Sequence, residues 1–200
     1  MTKNCKYNLS IIYIQFNMET TKNEMTAYSK NFFNKLGNYL GIKIYYYGSI
    51  QRNDYFPGKS DIDVDLFTDN VSSVIIKLQN FLGVEKYKFK KFVYKLHKTK
   101  KLVYGHKVKY EDPDNNFFTE IAIYDEKDKE AVLIEHNSKA ILPFYVSWLL
   151  IILKTFYYSL GILSREIYSY LKDFIIDFMV EGKDSEFVTT NIPEDKPDSK

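Results

Sequence analysis

Three aspartates alternate with aliphatic residues in residues 61–66, which spell DIDVDL. In an extended strand, residues two positions apart project from the same face, so Asp61 and Asp63 point to one side together. Carboxylate oxygens are the ligands that Mg²⁺ prefers, with water and phosphate oxygens completing the shell. Two divalent cations about 3.5–4 Å apart can activate an attacking hydroxyl and stabilise a leaving group. The spacing therefore predicts a site for Mg²⁺ or Mn²⁺ with Asp61 and Asp63 as ligands.

A Gly48-Ser49 pair ends the preceding β-rich run, and eleven residues separate Ser49 from Asp61. Such a turn offers backbone amides, a hydroxyl and no side-chain bulk, which suits a bound polyphosphate. Taken alone, each feature has an ordinary interpretation, namely a tight turn and the solvated face of an edge strand. Their order and separation together predict a joint phosphate and metal site.

Helix and strand signals surround these two features. Thr21–Glu24 has the spacing of a capping box, and the apolar periodicity that follows it predicts a helix ending at Gly41. Asp69 or Asn70 can cap a second helix that ends at Gly83. The predicted strands are Ile42–Tyr47, Asp61–Phe67, Lys86–Lys98, Leu102–Tyr110 and Phe117–Tyr124.

The second half of the chain is predicted to end in two helices. Residues 126–139 are compatible with either strand or helix. A helix runs from Leu142 to Tyr158, and Ser164 caps a last helix that ends at Gly182. The predicted inward face of that last helix is Ile167, Leu171, Phe174, Ile175 and Phe178. Near the start of the chain, residues 11–16 could form a short strand.

The strand, the Gly-Ser turn, the spacer of about a dozen residues and the acid-x-acid strand resemble the nucleotidyltransferase superfamily. That superfamily includes DNA polymerase beta, poly(A) and terminal uridylyl transferases and the small bacterial minimal nucleotidyltransferases. The resemblance covers roughly residues 25–125. It implies an α+β fold of the DNA polymerase beta-like palm type, with a mixed sheet and a C-terminal helical annex. The expected division is a catalytic domain over 20–137, the annex over 138–182 and a disordered acidic tail over 183–200.

The same resemblance implies roles for individual residues. Ser49, beside Gly48, would touch the β and γ phosphates of a nucleotide, and Asp61 and Asp63 would hold both metals. A third acid on a later strand would complete the site. We choose Glu120, because a single acid inside an apolar strand is costly unless it is paired or bound to metal.

Two other acids remain alternatives or departures from the family pattern. Asp125 could be the third acid, although it stands at a strand end like a turn residue. Asp65 lies on the same predicted face as Asp61 and Asp63, where many family members have no acid. It could support the metal ligands or be a spare ligand.

Lys154 interrupts an otherwise apolar helix. It either extends to the surface or faces the cleft. In larger members of the superfamily a helical lobe sends a lysine to the triphosphate, so the resemblance makes Lys154 a candidate nucleotide ligand. Arg52 and Lys59, in the loop before the carboxylates, are weaker candidates because loop cations are usually solvated. The three histidines have no metal-ligand spacing and are predicted to be structural or surface residues.

Charge is concentrated in one segment of the chain. Residues 86–109 contain ten lysines and no Asp or Glu, and because the whole chain carries +2, all other residues together carry −8. The segment is either the solvated face of a sheet or an electrostatic track for a nucleic-acid backbone, which lysines contact without reading sequence.

Composition limits the classes of protein that fit this chain. A hydrophobic fraction of 45% excludes wholesale disorder, and one cysteine excludes an internal disulfide framework. With no recognisable leader sequence, we expect a cytoplasmic protein. Residues 140–164 are apolar, but Lys154 and Pro143 favour a buried helix pair, so we expect no stable membrane insertion.

Together these patterns predict a template-independent nucleotidyltransferase. It would transfer a nucleoside monophosphate from an NTP to an acceptor hydroxyl, with an RNA 3′ end favoured, and release pyrophosphate by a two-metal mechanism. A protein side chain or a small molecule stays open as acceptor, and the chain could need a protein partner. The alternative function is a catalytically inactive module that binds nucleotide, RNA or a protein partner. The third acid separates the two, since catalysis requires it to converge with Asp61 and Asp63.

Overall fold

The computed structural model describes residues 17–176 and 187–191. The predicted strand at residues 11–16, as well as Phe178 and Gly182 of the predicted last helix, lie outside the described residues.

A six-stranded mixed sheet forms the centre of the molecule, in the order β1-β2-β5-β4-β3-β6. Only β2 and β5 pair in parallel, and the other neighbours are antiparallel. The α+β class with a mixed sheet and a helical annex is therefore confirmed. The strands are β1 Ile44–Tyr47, β2 Ile62–Thr68, β3 Lys90–Lys95, β4 Leu102–Asp112, β5 Phe117–Asp125 and β6 Phe187–Asn191.

Two helices cover one face of the sheet. These are α1 (Ala27–Leu40) and α2 (Val71–Leu82), and both end at a glycine in the left-handed conformation, as predicted. Asn70 caps α2 through its side chain, which accepts a hydrogen bond from the Ser73 amide. The core between these helices and the sheet is formed by Phe33, Leu36, Leu78, Val64, Leu66, Ile121 and Ile123 among others.

The start of α1 differs from the sequence prediction. Thr26, and not Thr21, is the N-cap, and its side chain accepts a hydrogen bond from the Ser29 amide. The residues before it are held elsewhere: the Asn23 side chain donates to the carbonyl oxygens of Ile50 and Arg52. This tertiary contact therefore keeps residues 21–24, which the capping-box spacing predicts to start the helix, outside α1.

The other face of the sheet carries a second core and the third helix, α3 (Lys129–Ala140). This settles the ambiguous segment 126–139 as a short 3-10 turn followed by a helix. The predicted strand Lys86–Lys98 is too long, because Lys86–Lys88 forms a 3-10 turn and only Lys90–Lys95 is extended.

The annex consists of α4 (Phe144–Tyr158) and α5 (Arg165–Ile176), which pack through Val146, Leu150, Leu153 and Ile175. Leu171 and Ile175 point inward as predicted, but Ile167 and Phe174 are about half exposed. The outer face of α4 is apolar as well, with Phe144, Tyr145, Trp148, Leu149, Ile152 and Phe156 exposed.

Among the described helices, none alone has the length and apolar character needed to cross a bilayer. The segments Glu126–Ala140 and Phe144–Tyr158 meet the criterion only as a pair, by length and composition, and the chain bends by 81° between them.

The chain returns to the sheet after the annex. Strand β6 pairs antiparallel with β3, with Lys90 opposite Asn191 and Tyr94 opposite Phe187. The expectation of a disordered tail over 183–200 is therefore wrong for residues 187–191. These residues read FVTTN, and their aromatic and β-branched side chains favour a strand.

Candidate active site

Strand pairing brings two of the predicted acids face to face. In the antiparallel pair β1–β2, Tyr47 lies opposite Asp63, and in the parallel pair β2–β5, Asp63 lies opposite Glu120. Residues directly opposite each other on neighbouring strands project from the same face. Tyr47, Asp63 and Glu120 therefore form a row across the middle of the sheet, on the face opposite α1 and α2.

The Gly48-Ser49 turn closes over this row. Gly48 has a φ of +72°, begins the 3-10 turn Gly48–Gln51, and follows β1 directly. A Cβ atom at this position would overlap a carboxylate oxygen of Asp63. Glycine is thus required twice here, by the left-handed backbone and by the close approach of the carboxylate. Ser49 is next in the turn and is largely buried.

The turn is held from behind by the segment that precedes α1. The Gln51 side chain donates to the carbonyl oxygens of Thr20 and Tyr46 and accepts from the Lys22 amide. These bonds involve a side chain that is 3% exposed, so they are shielded from competing water. The position of Gly48-Ser49 is therefore fixed by the protein before any ligand arrives.

Burial and neighbouring charge act on Asp63. Burial raises the pKa of its carboxyl, the charges of Glu120 and Asp61 raise it further, and the ammonium of Lys172 opposes them, so that the pKa lies at about 6. The effects of Asp61 and Glu120 on Asp63 place three negative charges in one electrostatic neighbourhood. A bound divalent cation relieves such repulsion.

Asp61 is exposed and lies immediately before β2. The junction between α4 and α5 lies near Asp61. At this junction the rings of Tyr157 and Tyr168 stack at a centroid distance of 4.2 Å. Burial raises the pKa of Tyr168, and the negative charge of Asp61 contributes to the same shift. The annex tyrosines and Asp61 thus share one electrostatic neighbourhood.

Glu120 is paired with two lysines of β4. Its carboxylate oxygens lie 3.3 Å from the Lys107 ammonium and 3.6 Å from the Lys109 ammonium. The alternative third acid, Asp125, forms an ion pair of 2.9 Å with Lys127 at the far end of β5. Glu120 is therefore the acid that the fold sets opposite Asp63.

The Lys154 ammonium is buried and already bound by protein groups. Its ammonium lies 3.0 Å from the Asp54 carboxylate and donates to the Asp54 carbonyl at 2.6 Å and to the Ser60 hydroxyl at 3.3 Å. Arg52 binds the same carboxylate through two nitrogens, at 2.8 and 3.1 Å. These bonds fasten α4 to the loop between the Gly-Ser turn and the carboxylates. Lys59 adds a bond of 2.9 Å to the carbonyl of Tyr158.

Asp65 and His136 lie deeper on the same face. The Asp65 side chain is fully buried, and His136 Nε2 of α3 lies 3.1 Å from one of its oxygens. The His136 ring stacks on Tyr47 at a centroid distance of 4.1 Å. Burial raises the pKa of Asp65, and His136 opposes this shift. Asp65 therefore lies two residues beyond Asp63 on the same face of β2, where it is buried and held by His136.

The structure brings Gly48, Ser49, Asp63 and Glu120 together and places Asp61 at the rim. Within residues 17–176 and 187–191, no three Asp, Glu, His or Cys side chains form a ready-made metal cluster. The donor chemistry fits a hard divalent cation, because Asp63 lies opposite Glu120 and the charges of Glu120 and Asp61 both act on it. Glu120 would exchange its lysine partners for the cation.

Lys172 of α5 is a functional candidate that the sequence analysis missed. Its ammonium acts electrostatically on both Asp63 and Lys154, and its side chain is partly exposed. The only sequence signal is a lysine amid the apolar residues of the last helix, and the packing of that helix was not readable from its periodicity.

Comparison with known proteins relates the chain to a described family. The sequence profile of the family described as Nucleotidyltransferase domain matches residues 29–191. No curated protein matches the chain significantly. Among solved structures, the chain is similar to one described as "structure of GLD-2/RNP-8 complex", at 17% identity, with a TM-score of 0.37. The alignment covers 74% of this chain and 54% of that one, so this chain spans about half of its neighbour's length.

The Gly48 contact predicts a stability difference between two glycines of similar conformation. Gly41 also has a positive φ, of +69°, but a Cβ there would meet no atom within 4 Å. Gly41→Ala should cost about 1 kcal/mol of unfolding free energy from the backbone alone. Gly48→Ala should cost a further ~1–3 kcal/mol from overlap with Asp63. Urea unfolding measures both, and equal losses would show that the overlap has no energetic weight.

The Asp54 ion pairs predict acid-dependent stability. Burial alone would raise the pKa of Asp54, but Arg52 and Lys154 outweigh it and lower the pKa to about 2. Because the folded pKa lies below the unfolded value, this stabilisation is complete above about pH 4 and is lost as pH falls towards 2.

The stability gap between wild type and Asp54→Asn should therefore shrink by about 2 kcal/mol between pH 5 and pH 2. Urea unfolding at both pH values measures it. Asp69→Asn, which removes an exposed carboxylate, is the control. A gap that stays constant with pH would contradict the assignment.

Proposed function

The chain belongs to the nucleotidyltransferase domain family, and we propose that it transfers a nucleoside monophosphate from an NTP to an acceptor hydroxyl without a template. Pyrophosphate is the other product, and an RNA 3′ end is the favoured acceptor. The observation that carries this proposal is the register that sets Glu120 opposite Asp63, beside the Gly48-Ser49 turn. This register supports the enzyme over the binding module, because an enzyme of this kind needs a third acid near Asp61 and Asp63.

Each residue of the site has a role in this reaction. Asp61, Asp63 and Glu120 would hold Mg²⁺ or Mn²⁺, which when bound activates the acceptor hydroxyl and neutralises charge on the leaving pyrophosphate. The Gly48-Ser49 turn receives the β and γ phosphates with backbone amides and the Ser49 hydroxyl. Tyr157 and Tyr158, at the end of α4, lie near Asp61 and would limit the access of water to the reacting groups.

Two annex lysines could serve the triphosphate in different ways. Lys154 contributes positive charge, but its hydrogen bonds go to Asp54 and Ser60. It therefore acts chiefly by holding α4 against the loop between the Gly48-Ser49 turn and Asp61. Lys172 is partly exposed and its charge reaches Asp63. We assign the direct phosphate contact to Lys172 and the positioning role to Lys154.

A catalytically inactive binding module is the second candidate. The ion pairs of Glu120 with Lys107 and Lys109 favour it, since they satisfy the third acid without metal. Such a module would use the same cleft to hold a nucleotide, or the lysine-rich strands to hold RNA. An acidic protein partner would also fit the lysines.

Label transfer decides between the two candidates. Each of the four NTPs, labelled at the α phosphate, is incubated with the protein and Mg²⁺ or Mn²⁺, with a mixed RNA pool or a cell protein extract as acceptor. Label above an Asp63→Ala blank establishes the enzyme, and the labelled fraction identifies the acceptor class. A folded protein that binds RNA or nucleotide but transfers no label with either metal would be the binding module.

The two candidate third acids give a matched test. Glu120→Gln should lower label transfer at least 100-fold, because it removes a charge opposite Asp63, whereas Asp125→Asn should stay within about twofold of wild type. Circular dichroism checks that both variants fold. Loss of transfer in Asp125→Asn with activity retained in Glu120→Gln would reverse the assignment.

Substitutions of Lys172 and Lys154 should differ in their effects on KM and on stability. Lys172→Gln should raise the KM for NTP about tenfold and leave the unfolding free energy within about 0.5 kcal/mol. Lys154→Met should cost about 3 kcal/mol of stability, because it breaks a buried ion pair. Urea unfolding and initial rates measure the two effects. An unchanged KM in Lys172→Gln would exclude the phosphate contact.

A further inference from the structure

The ten lysines of residues 86–109 do not form one surface. Strand pairing divides the five that lie in β3 and β4 between the two faces of the sheet. This division separates lysines that can reach the acids from lysines that cannot.

One group lies on the face of the acids. Lys109 is opposite Glu120 in the β4–β5 pair, and Lys90 is opposite Lys107 in the β3–β4 pair. Residues 107 and 109 are two apart on one strand, so all three lysines share the face of Asp63. With strands about 4.8 Å apart, the row from Glu120 to Lys90 spans ~10 Å across the sheet.

A second group lies away from the acids. Lys91 is opposite His106 and projects from the other face of the sheet. Lys95 also belongs to that face and lies opposite Leu102, at the far end of the β3–β4 pair. Lys107 lies five positions after Leu102 in β4, which is ~17 Å along the strand. Lys91 and Lys95 are both exposed, so they are charged surface residues like Lys90.

We propose that Lys90, Lys107 and Lys109 form a track for the phosphates of single-stranded RNA, with the 3′ end of the strand at Asp63 and Glu120. The inference rests on the proposed function and adds the path of the acceptor to it. A row of ~10 Å across the sheet would contact the last few phosphates before the 3′ end. The track leads from β3 across β4 to the acids of β2 and β5.

The chemistry of this face suits a backbone and not a base sequence. Phe92 and Tyr94 of β3, which share the face, are 3% and 1% exposed and pack into the core. The groups that remain exposed are lysine ammoniums, which attract phosphates as point charges without discriminating bases. The Lys109 side chain is 69% exposed, so it can leave Glu120 for a phosphate. RNA binding along the track should therefore be independent of sequence.

Neighbouring lysines on opposite faces provide the test. Binding of a 5′-fluorescein-labelled RNA 15-mer is measured by anisotropy between 0.05 and 0.3 M KCl. All proteins carry Asp63→Ala and no NTP is added, so binding is read without transfer. Lys90→Gln should lower the slope of log Kd against log salt by about 0.7 and weaken binding about fivefold at 0.1 M salt. Lys91→Gln, with the same charge change, should match the parent.

The double variants extend the comparison. Lys90→Gln/Lys109→Gln should weaken binding about 20-fold at 0.1 M salt, and Lys91→Gln/Lys95→Gln should leave it within twofold. Because Lys90 touches no acid of the site, the single variant excludes an effect that acts only through Glu120. Equal losses at Lys90 and Lys91, or no loss at either, would overturn the track.

A polyglutamate peptide of similar charge separates RNA from an acidic protein segment. Equal affinity for the peptide, with the same dependence on Lys90, would overturn the assignment to RNA. The same measurements distinguish a failure of the track from a failure of the proposed function. Lys90-dependent binding by a wild-type protein that transfers no label supports the track and removes the enzyme, whereas label transfer to RNA without dependence on Lys90 removes the track alone.

Discussion

The parallel pairing of β2 with β5 is the constraint on which the site depends. A parallel pair cannot be joined by a hairpin, so the chain must leave β2 and return by a crossover. Here the crossover contains α2 and the β3–β4 hairpin, and the hairpin then becomes the flank of the sheet beyond β5. One pairing therefore sets Glu120 opposite Asp63 and also brings the lysine-rich strands next to the acids.

Carboxylates packed this closely oppose folding, and the surrounding residues offset that cost. Asp63 experiences the charges of Asp61 and Glu120, and Asp65 is buried two residues further along the strand. Lys107 and Lys109 balance Glu120, His136 balances Asp65, and Lys172 acts on Asp63. Lysines of β4 and α5, together with the His136 side chain of α3, thus offset the cost of placing these acids on β2 and β5.

The sequence was sufficient where the determinants are local. The α+β class follows from the resemblance to the nucleotidyltransferase superfamily. The Gly48-Ser49 turn and the left-handed glycines after α1 and α2 follow from spacing within one or two elements. It failed where distant segments compete for a residue. Asn23 binds the carbonyls of a loop almost thirty residues away, so the capping box at Thr21 does not start the helix.

Register and helix orientation were also beyond local reasoning. Glu120 stood out as an isolated acid, but its position opposite Asp63 is a property of the strand pair. Lys172 acts on Asp63 from α5, a helix that packs on α4 through Leu171 and Ile175 while Ile167 is about half exposed. The periodicity of α5 allowed a broader apolar face than the annex covers.

The return of the chain to the sheet as β6 has a consequence for how the protein acquires its structure. Lys90 pairs with Asn191, a partner about one hundred residues later, and both annex helices lie between them. The annex is thus an insertion between two strands of a single sheet. Pairings of such high sequence separation form slowly because a large loop must close first. During synthesis on the ribosome, β3 must wait with an open edge until residue 191 has emerged, so this edge is the part of the nascent chain most exposed to chaperones and to intermolecular strand pairing.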